Sequence, residues 1–272
     1  MTVLTRTPAG RARAAPGPAD VLRCEWIKLR TVRSTWWSLL VVLAGTIAVG
    51  VLICATIVAR WNHLPTADRA HLDPTGRSLT GLFVGQLATG VLGTLAITSE
   101  YATGMIRSTL VAAPRRRTVL AAKAAALSGP VLLASTTACA AAFLAGQAIL
   151  AGKGAGVSIT GPGELRAVIG GGLYLTVLAL LGLGLGATLR HTAGAVSAFT
   201  GLVLVLPLLV TPLPNPWGRD VAEYLPADAG QAILNVHPTP GALAPWTGFA
   251  VLCVWTATAL GIAAWLITRR DA

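Results

Sequence analysis

Residues 36–59 read WWSLLVVLAGTIAVGVLICATIVA, and this stretch decides the fold. None of its 24 residues is Asp, Glu, Lys, Arg or His. An α-helix rises about 1.5 Å per residue, so about 20 apolar residues cross a hydrocarbon core of about 30 Å. The stretch is long enough, and apolar enough, to predict a transmembrane helix.

The rest of the chain repeats this pattern. Of its 272 residues, 54% are hydrophobic and 11% are charged, whereas an average soluble domain has about 25% charged residues. Uncharged runs long enough to span a bilayer lie at 36–59, 79–98, 124–151, 167–189, 193–213 and 246–267. We therefore predict an all-α polytopic membrane protein with about six transmembrane helices, in a single domain over residues 20–272.

The distribution of Lys and Arg predicts the orientation. If the N-terminus is cytoplasmic, segments 1–35, 99–123, 190–192 and 268–272 lie inside and carry seven, five, one and two of the 21 basic residues. The outer segments carry the remaining six. Because Lys and Arg accumulate in cytoplasmic loops, both termini are predicted to be cytoplasmic. The net charge of +11 is scattered over short segments, which argues against a nucleic-acid-binding face.

The N-terminal region divides into a tail and a helix. Residues 1–19 are rich in Ala, Pro, Gly and Arg, which predicts a disordered basic tail. Asp20 is a candidate N-cap for a helix that runs to about Arg33. Most of its apolar residues share one arc, although Glu25 intrudes on it, and this favours an interfacial helix in contact with membrane lipid. The residues that mark this helix are Glu25, Trp26, Lys28 and Arg30. The alternative is a cytoplasmic extension of the first transmembrane helix.

Motifs for catalysis and cofactor binding are missing from the sequence. The nearest match to a P-loop, Gly146 to Lys153, has five residues between its glycines, and Gly154 stands where Ser or Thr is needed. The predicted spans contain no Asp, Glu, Lys, Arg or His that could serve as a proton relay. We therefore predict a protein without enzyme activity and without a cofactor. The predicted outer loop at 60–78 contains His and Asp residues, but they lack the i, i+4 spacing of a helical metal site, so we predict a solvated loop.

Small residues and prolines shape the predicted spans. Glycines cluster in the fourth span, at 170–172 and at positions 182, 184 and 186, which favours close helix packing. Pro207 and Pro212 are predicted to kink or end the fifth span. The outer segment 214–245 mixes helix breakers with apolar residues. It fits either short half-inserted helices that cap an outer vestibule or a flexible exterior loop.

The connection after the second span is the most informative part of the chain. Residues 99–123 read SEYATGMIRSTLVAAPRRRTVLAAK. Ser99 can cap a helix, and Pro114 ends it. A positive-inside anchor explains the three arginines at 115–117. It does not explain the conjunction of Glu100, Tyr101, Gly104 and Arg107, whereas a docking surface for a cytoplasmic partner does.

These features together resemble the permease subunit of ABC-2 type ABC transporters, most often exporters. The resemblance covers about residues 20–272 and is carried by EWIKLRT at 25–31, SEYATGMIRSTL at 99–110, the six spans and the long outer segment. It implies that Glu100, Tyr101, Gly104 and Arg107 belong to a coupling element that docks on a separate ATP-binding subunit. Family members often have a basic residue where this chain has Ala102. The resemblance also implies a second permease subunit, in a homodimer or heterodimer, and a multi-pass location in the bacterial cytoplasmic membrane.

Two functions from different classes stay open at this point. The first is an ATP-driven exporter whose path between two permease subunits is apolar, which favours a lipid-like or amphipathic cargo. The second is a non-transporting membrane scaffold or sensor that binds a cytoplasmic partner through the same basic loops. A sodium-coupled carrier is a third interpretation, and the lack of intramembrane charge in the predicted spans disfavours it.

Overall fold

A computed structural model of the chain describes residues 17–106, 116–210, 212, 217–237 and 242–269. Within these residues the backbone forms helices joined by turns, and it contains no strand. The prediction of an all-α protein is therefore confirmed. The described helices of five residues or more are α1 Pro18–Thr31, α2 Arg33–Ala59, α3 Thr66–Ala70, α4 Pro74–Ser78, α5 Leu82–Ala102, α6 Arg116–Ala151, α7 Glu164–Leu189, α8 Thr192–Val210, α9 Trp217–Ala222, α10 Pro226–Gln231 and α11 Pro245–Arg269.

Six of these helices are long and apolar enough to cross a membrane, namely α2, α5, α6, α7, α8 and α11. They confirm the six predicted spans. The two ends of this helix bundle differ in the elements that they contain. The α1 end holds α1, the end of α5 and the start of α6, whereas the opposite end holds α3, α4 and α10. The assignment of the α1 end to the cytoplasm stays a prediction.

The bounds of α6 correct the sequence analysis. This helix begins at Arg116, well before the predicted start at residue 124, and Lys123 lies inside it. The sequence criterion ended each run at a charged residue. The helix continues across Lys123 because that side chain is buried and paired with carboxylates.

Helix α7 forms the centre of the packing. Tyr174, Leu175 and Leu178 are completely buried in it. Helix α5 crosses α7 at close range, because a Cβ on Gly93 would overlap the carbonyl group of Ala179. Small residues allow backbones to approach in this way. The glycines of the fourth span do the same, as predicted, because a Cβ on Gly182 of α7 would overlap the carbonyl group of Gly90 of α5.

A break separates α1 from α2. Val32 between them is extended, with φ −82° and ψ 116°. Helix α1 begins at Pro18, two residues before the predicted Asp20. Asp20 is not the N-cap; its carboxylate accepts a hydrogen bond from the Gly17 amide at 3.0 Å. Helices α1 and α2 are therefore separate, and α1 is not a continuous extension of the first transmembrane helix. The interfacial location of α1 stays a prediction.

Helix α8 changes its pitch before Pro207. A π-helical stretch covers Gly201–Val205, and regular helix resumes over Leu206–Val210. Proline has no N–H for the carbonyl four residues earlier, and its ring crowds that carbonyl. The wider π turn accommodates the ring. The kink expected at Pro207 therefore takes the form of a local change in helical pitch.

The segment between α8 and α11 packs against the bundle over residues 225–234. Ala229 and Ile233 have no exposed surface. A Cβ on Gly248 of α11 would overlap the carbonyl of Ala229, and Gly170 of α7 lies against Ile233. Short packed helices therefore describe these residues, and a flexible exterior loop does not.

Candidate functional site

Four charged side chains meet at the α1 end of the bundle, and we call them the charge cluster. Glu25 and Lys28 come from α1, Glu100 from α5 and Lys123 from α6. Lys123 Nζ lies 2.5 Å from Glu25 Oε2 and 2.8 Å from Glu100 Oε1. Lys28 Nζ lies 2.8 Å from Glu25 Oε1 and 2.9 Å from Glu100 Oε1. The contacts close into a ring in which every charge touches two charges of opposite sign.

The ring is largely removed from solvent. Glu25 is 1% exposed, and Glu100 and Lys123 are each 3% exposed. The Lys28 side chain is 25% exposed and forms the solvent-accessible edge of the ring. Taking a charge out of water costs several kcal/mol unless a well-placed partner compensates for it. Two carboxylates and two ammonium groups compensate for one another here, so the ring is stable only as a complete set.

Local sequence places each member of the charge cluster. Glu25 and Lys28 are three residues apart on α1 and therefore share a helix face. Glu100 lies in the last turn of α5, and Lys123 lies about two turns into α6. The ring therefore joins residues separated by 72 and 98 positions along the chain. It ties α1, which sits outside the six long helices, to two of them.

The two oxygens of Glu100 have different surroundings. Oε1 accepts hydrogen bonds from both lysines. Oε2 is buried and has no hydrogen-bond partner among the described residues. A buried acceptor without a donor raises the free energy of the arrangement. The burial of Oε2 is therefore not compensated by a hydrogen bond within the described part of the chain.

Lys28 stays protonated at physiological pH. Burial alone lowers its pKa, but hydrogen bonds and Coulomb attraction to Glu25 and Glu100 outweigh burial and raise the pKa above its usual value. A carboxylate held beside an ammonium group stabilises the charged form of both partners. The ammonium group of Lys28 is therefore a fixed positive charge near neutral pH.

Tyr101 and Gly104 lie beside the charge cluster. The Arg190 guanidinium carbon is 5.2 Å from the centroid of the Tyr101 ring, a cation–π contact that links α5 to the end of α7. Gly104 has φ +72°, a left-handed conformation that favours glycine, and among the described residues nothing beyond its chain neighbours lies within 4 Å of the position of a Cβ. Within this chain, the turn and not a close approach explains Gly104. Arg107, the fourth residue assigned to the coupling element, lies outside the described residues.

The turn after α5 presents an exposed surface. Residues 102–105 are all exposed, and Met105 retains 47% of its surface. Ile106, which follows, is 5% exposed. At the start of α6, Arg116 donates from Nη1 to the carbonyl of Ile267 at 3.0 Å, which ties this region to the end of α11. The segment predicted to be the coupling element therefore has an exposed turn directly beside a buried ion network.

The four residues assigned to the interfacial helix lie on two faces of α1. Glu25 and Lys28 point into the charge cluster. Trp26 and Arg30 are exposed and line a groove between α1, α2 and α6. Glu25 interrupts the apolar arc of α1 because its side chain points into the protein and not toward lipid.

The role of Lys123 was missed from the sequence. In the sequence, Lys123 is a basic residue before the third predicted span, and Glu25 is a polar interruption of an amphipathic pattern. A lysine adjoining a long apolar run, together with an acid out of register on a nearby helix, was the available signal. Their separation by 98 positions leaves no local pattern that pairs them.

The charge cluster has the features of a structural ion network and not those of a catalytic site. Its charges balance, and it has no nucleophile paired with a base. Elsewhere in the described ranges, no group of three or more His, Cys, Asp or Glu side chains is placed to hold a metal ion. The ring joins three helices through ion pairs and so restrains their relative positions.

Comparison with known proteins identifies a family. The model of a family described as ABC-2 family transporter protein matches residues 21–211. The match covers more than two thirds of the chain and includes all four members of the charge cluster. A comparison with curated proteins gave no match.

Proposed function

Because the chain belongs to the ABC-2 family of transporter proteins, we propose that it is an exporter subunit driven by a separate ATP-binding subunit. The family makes the chain a membrane permease subunit, and its six long apolar helices supply the membrane domain. Its sequence has no P-loop, so the hydrolysis of ATP is assigned to the partner. A second permease subunit, identical or different, would complete the pathway.

The charge cluster is the observation that carries this proposal. A permease that is driven from outside needs a rigid connection between the point of contact and the membrane helices. Glu100 lies in the last turn of α5, next to the exposed residues 102–105. Its ion pairs with Lys28 and Lys123 extend that connection to α1 and α6.

The proposed coupling element divides its work between contact and transmission. The exposed turn around Gly104 and Met105 would contact the ATP-binding subunit, together with Arg107 and with Tyr101 behind it. Glu100 is buried and therefore acts as a positioning residue, which passes the displacement of the turn to the other helices. This division supports the assignment of Glu100, Tyr101, Gly104 and Arg107 to one element.

The working stroke would be a movement of packed helices. Closure of the ATP-binding subunits would push on the turn and shift α5. The ion pairs would then carry α1 and α6 along, while the close contact at Gly93 would carry α7. Such rigid-body switching changes access between the two sides of a membrane. An apolar path through these helices suits a lipid-like or amphipathic cargo.

The test separates contact from transmission with two variants of the tagged full chain. Met105→Asp places a charge in the proposed contact and should abolish co-purification of the ATP-binding subunit in mild detergent. Glu100→Gln removes the buried charge and should retain the subunit while ATP-dependent export falls at least tenfold. Glu164→Gln is the matched control, since Glu164 is a buried carboxylate in the first turn of α7.

The outcomes distinguish the functions that the sequence left open. Normal export by Glu100→Gln would overturn the proposed role of the charge cluster. Capture of a cytoplasmic protein without ATPase activity, from membranes in which the complex is intact, would favour the scaffold or sensor. Export that follows a sodium gradient and survives depletion of ATP would favour the sodium-coupled carrier.

A further inference from the structure

An apolar groove runs along the outside of the bundle at the α1 end. It has a volume of about 550 Å³, within the range of roughly 300–1,000 Å³ typical of ligand sites. Its walls come from the end of α1, the first turns of α2 and the middle of α6. Nothing in the coupling role of the charge cluster uses this groove, which lies on the opposite face of α1.

The groove has one charged end and a long apolar body. Arg30 is the charged residue in its wall, and Trp26 and Trp36 flank that end. Trp36 Nε1 donates to the Arg30 carbonyl at 3.0 Å, which fixes the corner between α1 and α2. The body is lined by leucines of α2 and by Leu133 of α6, which is 72% exposed.

A glycine in the wall leaves space in the middle of the groove. Gly129 lies in its wall next to Pro130, and among the described residues a Cβ on Gly129 would meet no backbone of another helix and no side chain beyond its chain neighbours within 4 Å. The space is therefore real and continuous with the apolar surface around Leu133. A leucine at position 129 would begin to fill this space from its Cβ outward.

We infer that this groove binds an anionic phospholipid, with an acyl chain along α2 and α6 and the phosphate at Arg30. The charge of Arg30 selects an anion, and its guanidinium has no ion-pair partner among the described residues. Tryptophans concentrate at the level of lipid headgroups, and Trp26 and Trp36 lie beside Arg30. Arginines near a membrane surface attract anionic lipid.

A second copy of this chain fits the groove less well. Two subunits related by an axis along the membrane normal would lie at the same depth. Their contact through this groove would bring the two sets of Arg30 and Arg33, both exposed, toward each other. Like charges at a contact oppose association. A phospholipid instead brings the opposite charge together with the apolar chain that the groove requires.

The test counts retained lipid by native mass spectrometry of the full chain, released from nanodiscs of equal phosphatidylglycerol and phosphatidylcholine. We expect wild type to retain phosphatidylglycerol in preference. Arg30→Gln should reduce that retention about fivefold, which corresponds to loss of one surface arginine. Gly129→Leu should abolish it by filling the groove.

Two matched controls make the result specific. Arg23→Gln removes an exposed arginine of α1 that does not line the groove. Gly261→Leu adds the same side chain to α11, where a Cβ on Gly261 also meets no atom within 4 Å. Both controls should retain lipid as wild type does.

Three results would overturn the inference. Equal retention of the two lipids by wild type would show that the groove does not select an anionic headgroup. Unchanged retention by Gly129→Leu would place the lipid elsewhere. A shift from dimer to monomer in Gly129→Leu, with lipid retention unchanged, would make the groove a contact between copies of the chain. The readout does not involve transport or ATP, so it is independent of the proposed function.

Discussion

At the scale of single residues, Lys123 has the clearest energetic role. It is 3% exposed and contacts the carboxylates of Glu25 and Glu100. Removing one partner of a buried ion pair leaves an uncompensated charge, which typically costs about 3–5 kcal/mol. The effect should exceed that of any basic residue on the surface.

We expect Lys123→Met to destabilise the protein by about 3–5 kcal/mol in a denaturant titration of the detergent-solubilised chain. Lys153→Met is the control, because Lys153 is exposed and should change stability by less than about 0.5 kcal/mol. In a double-mutant cycle, Glu100→Gln should cost less in the Lys123→Met background than in wild type. Additive effects would show that the two residues are not coupled.

The raised pKa of Lys28 determines how the docking of α1 responds to pH. The folded protein holds the Lys28 proton more tightly than the unfolded chain, whose lysine pKa is about 10.5. The stability that Lys28 contributes is therefore fully present below pH 10.5 and lost as the pH rises through the higher pKa of the folded state. A spin label on the exposed Cys24 of α1 reports this docking.

We expect the mobility of that label to stay constant between about pH 6 and pH 9 and to increase above about pH 10.5. A Lys28→Met variant should lack the part of the transition that comes from Lys28. A transition near neutral pH in wild type would contradict the raised pKa of Lys28.

At the scale of elements, the crossing of α5 and α7 depends on Gly93. A Cβ there would overlap the backbone of Ala179, and a backbone carbonyl cannot rotate away as a side chain can. Alanine otherwise favours a helix over glycine by about 1 kcal/mol. Steric overlap and helix propensity therefore act in opposite directions at this position.

We expect Gly93→Ala to destabilise the protein by about 1–3 kcal/mol, because overpacking outweighs the gain in helix propensity. Gly261→Ala on α11 meets no neighbouring atom and should be neutral or stabilising. Thermal unfolding in one detergent measures both variants. A stabilising Gly93→Ala would mean that α5 and α7 do not cross at this distance.

At the scale of the whole molecule, the orientation in the membrane is the main remaining prediction. The charge distribution predicts that the α1 end lies in the cytoplasm. Cys24 is exposed at that end, whereas the exposed Lys153 lies at the opposite end, just after α6. The two positions therefore report opposite sides of the bilayer.

We expect a membrane-impermeant thiol reagent to label Lys153→Cys in intact cells and to leave Cys24 unlabelled until the membrane is opened. The background for the test replaces Cys253, which is partly exposed, by Ser. Labelling of Cys24 in intact cells would reverse the orientation. It would also contradict docking of a cytoplasmic subunit on the turn at Gly104.

The sequence by itself determined the membrane class, the six spans and the family. These follow from a uniform physical requirement, since each span needs about 20 apolar residues whatever it packs against. Residues 36–59 satisfy this requirement without reference to any other part of the chain. The sequence indicates the turn after α5 only in part. It shows a glycine at position 104 but not that this residue adopts a left-handed conformation.

Only the tertiary structure decided which residues form the candidate site. Glu25 was a defect in an amphipathic pattern and Lys123 a basic flank until the fold brought both to Glu100. An ion pair across 98 positions has no period or spacing in the sequence, because it depends on how three helices pack. Hydropathy is a property of each segment alone, whereas the compensation of a buried charge is a property of the assembled bundle.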